Sequence, residues 1–323
     1  MHIRWYEPDD EPYLMELERL SPRGEPRPFV HFRRRFVDRA AMYDNYYLFV
    51  AEEDNRPIGV TSITIKDTWI GSEPVRIAYS FDTRVHPHYR RMGVANAMQE
   101  AKLDFLTQEG IHGMYAYVVA TNYPALNMLE KVGHHRARLV LHLTYSPYPL
   151  IIPPVQAPHF LNGISDSGIV DAVYSSRDMY VQDVDIAVSE FNFERLFYDY
   201  GGPNFAGLSI FDQSLVYQQI SADEPWPTEE EVMKRARTLR LFDPTGLHNK
   251  LSLRNIFDYV RDLAVTSNVA KLSMILDRND TVPGFFFQEA TTQTDYWLMF
   301  RPLIPDWEPQ WNGGPIYIDP RDF

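Results

Sequence analysis

The sequence predicts a mixed α/β fold in two domains, and three observations support this prediction. The chain has 323 residues, about twice the usual ~150 residues of one domain. Over the first 146 residues, helix-like and strand-like segments follow one another in the order β-α-α-β-β-β-α-β-α-β. A proline-rich joint, residues 146–149 followed by Pro153, Pro154 and Pro158, then separates a domain 1–146 from a domain 147–323.

Composition narrows the functional classes. Hydrophobic residues make up 45% and charged residues 23%, as in ordinary globular proteins. Cysteine is absent, which excludes disulfides, thiolate metal sites and a cysteine nucleophile. No apolar run reaches the ~18 residues of a membrane span, and the N-terminus lacks the apolar core of a signal peptide. We therefore expect a cytoplasmic protein that does not bind membranes.

The formal net charge is −13. An acidic surface repels phosphate backbones, so we expect no direct nucleic-acid binding. The same surface attracts amines, polyamines and lysine-rich peptides, although the acidity is equally compatible with a role in solubility alone.

The first three elements are predicted as a strand and two helices. Residues 2–6 are strand-like, and Pro8 and the acidic residues after it form a helix entry before helix 11–20, whose apolar residues recur at helical spacing. A loop rich in proline and glycine, 21–28, precedes a predicted helix 29–42. We expect the three consecutive arginines 33–35 to lie on its solvated face.

Strands dominate the next part of the chain. Charged turn residues separate strand 47–51 from strand 57–65, and a longer strand 75–85 follows. Residues 93–107 carry a face of apolar residues at helical spacing, and Gly110 ends this helix. The rest of the first half is predicted as strand 114–120, helix 123–132 and strand 136–145.

The second half repeats part of this order. Residues 239–244 resemble residues 81–87 in their position before a helix. The elements that follow are helix 253–264, strand 270–276, loop 277–280 and strand 295–300. This order predicts a diverged internal duplication, and the alternative is an unrelated α+β domain.

One stretch carries a recognisable chemical motif. Residues 85–96 read Val-His-Pro-His-Tyr-Arg-Arg-Met-Gly-Val-Ala-Asn. This stretch resembles motif A of the GNAT superfamily of N-acetyltransferases, written V-x-P-x-x-[QR]-x-x-G-x-[GA]. The matching positions are Val85, Pro87, Arg90, Gly93 and Ala95. The resemblance implies a GNAT acyltransferase fold, with two GNAT-like domains in tandem if the duplication holds.

The physical properties of this loop suit the pyrophosphate of coenzyme A. The loop opens a helix, so successive backbone N–H groups are unpaired and the helix dipole favours an anion there. Gly93 permits close approach of the backbone, Ala95 keeps the helix start slim, and the arginines add positive charge. The alternative is an ordinary strand-to-helix turn. The predicted cofactor-binding residues are Val85, Arg90, Arg91, Met92, Gly93, Val94, Ala95, Asn96 and, from a second segment, Asn122.

The second segment, residues 120–133, resembles the family's N-x-x-A pattern followed by a helix that ends in K-x-G. The resemblance implies that Asn122 borders the pantetheine and thiol end of the cofactor. A further resemblance, to plant Hookless-type N-acetyltransferases, extends over much of the chain, in residues 76–91, 175–185, 244–248 and 315–323. It implies a degenerate second domain in which residues 245–250 replace the phosphate loop, and we expect no coenzyme A there.

The resemblance implies direct attack of a primary amine on the thioester of acetyl-CoA, with the backbone N–H of Val85 as the oxyanion donor. The family's usual tyrosine acid on the following helix is replaced by Leu129, and Tyr123 has the wrong spacing. Asp82 and His86 are candidate bases, with structural hydrogen bonding or surface exposure as the alternative for each. Strand alternation places both on one face unless a bulge intervenes.

The sequence thus predicts an N-acetyltransferase that uses acetyl-CoA as co-substrate and no metal. The histidines at 134, 135 and 142 lack the spacing of zinc ligands. The acceptor is a small-molecule amine, a protein lysine or an N-terminus, and the sequence does not choose among them. The alternative function is an acyl-CoA-binding sensor or scaffold with little or no catalysis, which the loss of the tyrosine at position 129 favours.

Overall fold

The computed structural model describes residues 1–24, 27–150, 157–161, 167–199 and 202–323. Residues 25 and 26 of the predicted loop, and Pro153 and Pro154 of the predicted joint, lie outside the described residues. Among the described residues, no helix is both long and apolar enough to cross a bilayer.

The first half contains seven strands and three α-helices within the described residues. The strands are β1 His2–Trp5, β2 Phe29–Phe32, β3 Tyr46–Glu53, β4 Arg56–Ile70, β5 Glu73–Val85, β6 Gly113–Val119 and β7 His135–Tyr145. The helices are α1 Glu11–Arg19, α2 Val94–Gln108 and α3 Tyr123–Lys131, together with 3-10 helices at Pro8–Asp10, Phe36–Met42 and Pro87–Tyr89.

The second half has the same kinds of element. Its strands are β8 His159–Leu161, β9 Glu194–Tyr198, β10 Ala206–Asp212, β11 Gln218–Ser221, β12 Arg237–Thr245, β13 Val269–Asp277 and β14 Thr292–Pro302. Its helices are α4 Ser167–Tyr174, α5 Val184–Ala187, α6 Glu229–Met233, α7 Lys250–Thr266 and α8 Phe285–Gln288, with 3-10 helices at Ser189–Phe191, Gln213–Leu215 and Pro320–Asp322.

The predicted helix 29–42 is wrong. Residues Phe29–Phe32 form β2, which pairs antiparallel with β11 of the second half, and a 3-10 helix follows at Phe36–Met42. The partner strand lies almost 190 residues away, so local sequence gives no sign of this pairing. The expectation of a solvated arginine run is also wrong for Arg33, whose side chain is fully buried. The other predicted elements are present, with ends shifted by a few residues.

Within the described residues, one mixed sheet extends through both halves of the chain. Its twelve strands lie in the order β1-β3-β4-β5-β6-β14-β7-β13-β12-β10-β9-β8. The last strand of the second half, β14, lies between β6 and β7 and pairs antiparallel with both. The last strand of the first half, β7, lies between β14 and β13. Each half therefore contributes its final strand to the sheet of the other half.

The two halves share the same local irregularity. In β5 the register with β4 shifts between Val60 and Ser62, and Asp82 has a φ of 51°. In β12 the register with β10 shifts between Gly207 and Ser209, and Asp243 has a φ of 47°. A bulge with a left-handed residue at matching positions supports the predicted internal duplication.

The sheet separates two environments in the first half. Helix α2 covers one face of β4 and β5, and buries Val94, Met98 and Leu106 there. The opposite face packs against α1, the 3-10 helix Phe36–Met42 and the C-terminal segment around Ile316–Ile318, in a core to which both halves contribute. The site described below lies between β5 and β6.

The exchange of β14 makes a prediction about stability. Leu298 in β14 is fully buried in the shared core. We expect Leu298→Ala to lower the free energy of unfolding by about 2–5 kcal/mol, because it removes buried methyl groups and leaves a cavity. Urea denaturation measures this change. Leu251→Ala is the matched control, since Leu251 is 75% exposed, and a similar loss in both variants would contradict the proposed importance of β14.

Candidate functional site

Strands β5 and β6 are paired over only a short stretch. Their parallel register covers Ile77 to Tyr79 on β5 and Gly113 to Tyr115 on β6. Beyond Tyr79, β5 continues to Val85 paired only with β4, and β6 continues to Val119 paired only with β14. The two strands therefore diverge, and a cleft opens between them within the described part of the sheet.

One backbone N–H near the end of β5 is directed toward this cleft. The His86 N–H donates to the Ile58 carbonyl at 2.9 Å, toward the β4 side. Because successive residues of a strand direct their N–H groups to opposite edges, the N–H of Val85 faces the cleft side. This orientation fits the oxyanion donor predicted for Val85.

Arg90 fixes the start of the loop that follows β5. Its Nε donates to the Val85 carbonyl at 3.1 Å, and its Nη2 donates to the Leu20 carbonyl at 3.1 Å and to Ser21 Oγ at 3.3 Å. The side chain thereby ties the loop to the end of α1. Arg90 thus has a structural role in this loop beside the predicted electrostatic one.

The remainder of the loop leaves room for a phosphate group. Gly93 is the N-cap of α2, with a φ of 87°, and a Cβ placed on it would meet nothing within 4 Å. Arg91 is also left-handed and exposed, and the Met92 side chain is 66% exposed. The first N–H groups of α2, from Val94 to Asn96, have no acceptor within the helix, because an α-helix leaves its first turn unpaired.

The N-terminus of α3 follows β6, as the loop with Gly93 follows β5. Asn122 is its N-cap, and the side-chain oxygen of Asn122 accepts from the Ala125 N–H at 3.3 Å. Leu129, where the family has its tyrosine, is buried with Leu126 and Met299. The α3 position usual for an acid therefore offers no proton donor here.

Asp82 lies in a different environment from the one expected of a base. Its carboxylate is buried and accepts from Arg33 at 2.7 Å, Arg39 at 3.1 Å and Arg84 at 3.3 Å. Although burial alone would raise its pKa, these guanidinium groups hold the pKa of Asp82 well below its ordinary value. A carboxylate so strongly stabilised as an anion is a poor proton acceptor, so this geometry favours structural hydrogen bonding for Asp82, and its role as a base stays a prediction.

Glu18 completes a buried charge cluster that we define as Glu18, Arg33, Arg39, Asp82 and Arg84. Glu18 accepts from Arg33 Nη2 and from Arg84 Nε, both at 3.0 Å. Burial alone would raise the pKa of Glu18, but the positive charges beside it, that of Arg84 first, hold this pKa below its ordinary value. The cluster joins α1, the segment after β2 and the bulge of β5.

His86 lies at the end of β5 and is half-buried. Its Nδ1 accepts from the His88 N–H at 3.3 Å, and its ring lies edge-on to those of His88 and Tyr89. No ion pair holds it among the described residues. His86 thus stays a candidate base, as the sequence predicts.

The sequence analysis did not identify Lys102, which lies on the sheet-facing side of α2. Its Nζ donates to Ser80 Oγ at 2.7 Å and to Thr61 Oγ1 at 3.2 Å. A signal was present, because Lys102 interrupts the apolar stripe of α2 between Met98 and Leu106 at helical spacing. Within the described residues, no group of three or more metal-ligating side chains could hold an ion.

The matching loop in the second half is closed by packing. A Cβ on Gly246 would lie 2.1 Å from the Phe205 carbonyl oxygen. Asn249, the N-cap of α7, donates from Nδ2 to the same carbonyl at 2.8 Å. The backbone before β10 therefore fills the space that is open beside Gly93.

Residues 11–134 match the family model described as the acetyltransferase (GNAT) family. The fold is a tandem GNAT fold. Within it, the matched residues include the β5–β6 cleft and the loop before α2. No curated protein sequence matches the chain.

Solved structures agree with the GNAT fold over nearly the whole chain. A tandem GNAT protein from the clavulanic acid biosynthesis pathway has a TM-score of 0.59 and 13% identity, over 95% of this chain and 100% of that one. A candidate acetyltransferase from Pyrococcus horikoshii has a TM-score of 0.56 and 12% identity, over 98% and 94%. A GCN5-related N-acetyltransferase from Sphaerobacter thermophilus has a TM-score of 0.51 and 12% identity, over 83% and 84%.

The charge cluster predicts a pH-dependent stability. Asp82→Asn leaves three guanidinium groups short of a buried counter-charge, so we expect a loss of about 3–5 kcal/mol at pH 7. Folding lowers the pKa of Asp82. Its ionisation therefore stabilises the fold fully above the unfolded pKa of about 4, and this contribution is lost as the pH falls from there through the lower pKa of the folded state. The difference between wild type and variant should therefore shrink in acid.

Chemical denaturation at pH 7 and at lower pH measures this dependence. Asp104→Asn is the control, since Asp104 is exposed on α2. A destabilisation by Asp82→Asn that does not change with pH would contradict the role of its charge.

Proposed function

We propose that the protein is an acetyl-CoA-dependent N-acetyltransferase that acts on a primary amine. The observation that carries this proposal is the divergence of β5 from β6 beside an open helix N-terminus. A cleft of this kind accommodates an extended chain such as pantetheine, while the helix N-terminus accommodates its pyrophosphate. The match of residues 11–134 to the GNAT family supports the same assignment.

The proposed cofactor contacts follow the loop and the two helix starts. The N–H groups from Arg91 to Asn96 would hold the pyrophosphate, with Gly93 giving it room. Asn122 would border the pantetheine at the start of α3. The Val85 N–H would donate to the thioester oxygen, on which negative charge develops during attack.

The proposed reaction is direct transfer. The amine nitrogen attacks the thioester carbonyl, a C–N bond forms, and the C–S bond breaks with its electron pair on sulfur. The amine must first be neutral, so a base or water has to accept its proton. His86 is the side chain we retain for this role, because the charge cluster engages Asp82.

We propose a primary amine as the acceptor class, whether on a small molecule, a protein lysine or an N-terminus. The net charge of −13 supports a cationic acceptor through long-range attraction. The resemblance to plant Hookless-type proteins stays a prediction. In this proposal, residues 1–146 form the catalytic domain, and residues 147–323 complete the sheet and shape the acceptor side.

A second function rests on a specific observation. The buried Leu129 stands where the family has its acid, and the Asp82 carboxylate is held as an anion by arginines, so neither side chain is suited to acid or base catalysis. These features favour an acyl-CoA-binding sensor or scaffold with little turnover. Release of coenzyme A across a panel of amines distinguishes the two functions: acceptor-dependent release supports the enzyme, and binding without release supports the sensor.

The cofactor assignment predicts the effect of a charge at Gly93. We expect Gly93→Glu to abolish the binding of acetyl-CoA in calorimetry, because the carboxylate would occupy the pyrophosphate position. Gly110→Glu is a matched control at the opposite end of α2, since Gly110 also has a positive φ, of 66°, and open space at its Cβ. It should bind acetyl-CoA as wild type does.

Gly93→Ala separates backbone strain from charge. It carries the same cost of a left-handed φ without the carboxylate, so binding should fall less than in Gly93→Glu. If wild type does not bind acetyl-CoA, or if both glutamate variants lose binding equally, the cofactor assignment is wrong.

A further inference from the structure

A chain of hydrogen-bonded polar groups lies between α2 and the face of β4 and β5 that α2 covers. Lys102 Nζ donates to Ser80 Oγ at 2.7 Å and to Thr61 Oγ1 at 3.2 Å. Thr61 Oγ1 in turn lies 2.7 Å from Thr83 Oγ1. Four side chains from α2, β4 and β5 thus form one continuous path.

Both ends of this path lie on the part of β5 that borders the cleft. Ser80 directly follows Tyr79, the last residue of β5 that pairs with β6, and its side chain is half-buried. Thr83 is exposed, on the diverged part of β5. Lys102 and Thr61, at the centre, are buried. The path therefore connects the part of β5 that borders the cleft to a buried lysine.

The ammonium of Lys102 has no counter-charge in the described structure. Its hydrogen-bond partners are hydroxyl groups, and burial lowers the pKa of Lys102 to about 7. The charges that act on His134, which follows α3, are those of Lys102, Arg301 on β14 and the neighbouring His135, and all three groups are basic. Burial, followed by the charges of Lys102 and Arg301, lowers the pKa of His134 to about 3, so this histidine is neutral.

A buried lysine of this kind is costly to the fold. A methionine of similar volume would avoid the desolvation of the ammonium, so packing alone does not explain Lys102. In the proposed reaction the leaving thiolate also needs a proton, and Leu129 cannot supply it. Ser80, which accepts from Lys102, lies where β5 begins to diverge from β6.

We propose that Lys102, acting through the Ser80 hydroxyl, protonates the thiolate of coenzyme A during acyl transfer. This inference rests on the proposed function. As the C–S bond breaks, the electron pair stays on sulfur, the Ser80 O–H proton moves to sulfur, and a Lys102 N–H proton moves to Ser80 Oγ. Lys102 becomes a neutral amine. The nitrogen of the intermediate loses its proton to water in the cleft, and Lys102 recovers one from that water through Thr83 and Thr61.

Two probes that differ by one sulfur atom test this step without a known acceptor. Coenzyme A and dethio-coenzyme A are bound to the protein, and the 13Cε signal of Lys102 is titrated by NMR, with Lys102→Met for assignment. We expect the midpoint of Lys102 to lie about one pH unit or more higher with coenzyme A than with the dethio compound, because a thiolate within ~4–6 Å stabilises the ammonium.

The sulfur provides the reciprocal measurement. We expect the thiol of bound coenzyme A, followed by thiolate absorbance, to ionise about one pH unit or more lower in wild type than in Lys102→Met. Ser80→Ala should give a smaller difference and provides a second test if Lys102→Met does not fold. Lys131→Met is the control, since Lys131 is exposed on α3.

The outcomes separate this inference from the function on which it rests. If coenzyme A binds but its thiol ionises alike in wild type, Lys102→Met and Ser80→Ala, the relay is wrong and the cofactor site stands. If coenzyme A does not bind to wild type, both are wrong. Shifted ionisation in wild type that Lys102→Met removes and Lys131→Met retains supports the relay.

Discussion

The carboxylate of Asp82 is buried at the bulge of β5, where it needs positive partners and receives them from three arginines. A buried charge without partners would be destabilising by several kcal/mol, so the segments that carry these arginines are held to β5. Arg33 precedes the 3-10 helix Phe36–Met42 and Arg39 lies within it. Glu18, on α1, accepts from Arg33 and so holds α1 to the same cluster. The position of the bulge, and with it the diverged part of β5, depends on this neutralisation.

The same network connects the two halves. Arg39 Nη2 donates to the Asp322 carbonyl at 2.6 Å, and Tyr115 Oη donates to the Asp322 carboxylate at 2.8 Å. Lys66 pairs with Asp319 at 2.8 Å. The C-terminal segment of the second half therefore packs under β5 and β6, on the face opposite α2. This face of the sheet is thus covered by segments of both halves, whereas α2, on the other face, belongs to the first half.

Sequence reasoning predicted the parts of this structure that depend on local pattern. The helix before Gly110, the strands 57–65 and 75–85 and the loop with Gly93 follow from periodicity and turn chemistry, and the structure contains them. The order of elements in the second half was likewise readable from residues 239–300. The resemblance of residues 85–96 added the fold, which periodicity alone does not specify.

The features that the sequence could not predict involve distant partners. β2 was assigned to a helix because its partner β11 lies far along the chain, and Arg33 looked solvated because its partners Glu18 and Asp82 are not neighbours in sequence. The bulge at Asp82 has no local signature, so alternation placed its carboxylate with the candidate bases. Lys102 was the exception, since its place within an apolar stripe was visible.

The exchange of β7 and β14 has a consequence for the origin of the chain. In either half alone, the last two strands, β6 and β7 or β13 and β14, would be separated by a gap that the final strand of the other half fills. Joining two such halves in one chain makes this exchange independent of protein concentration. It also releases the copies from symmetry, so one loop can stay open beside Gly93 while its counterpart at Gly246 is closed by Phe205.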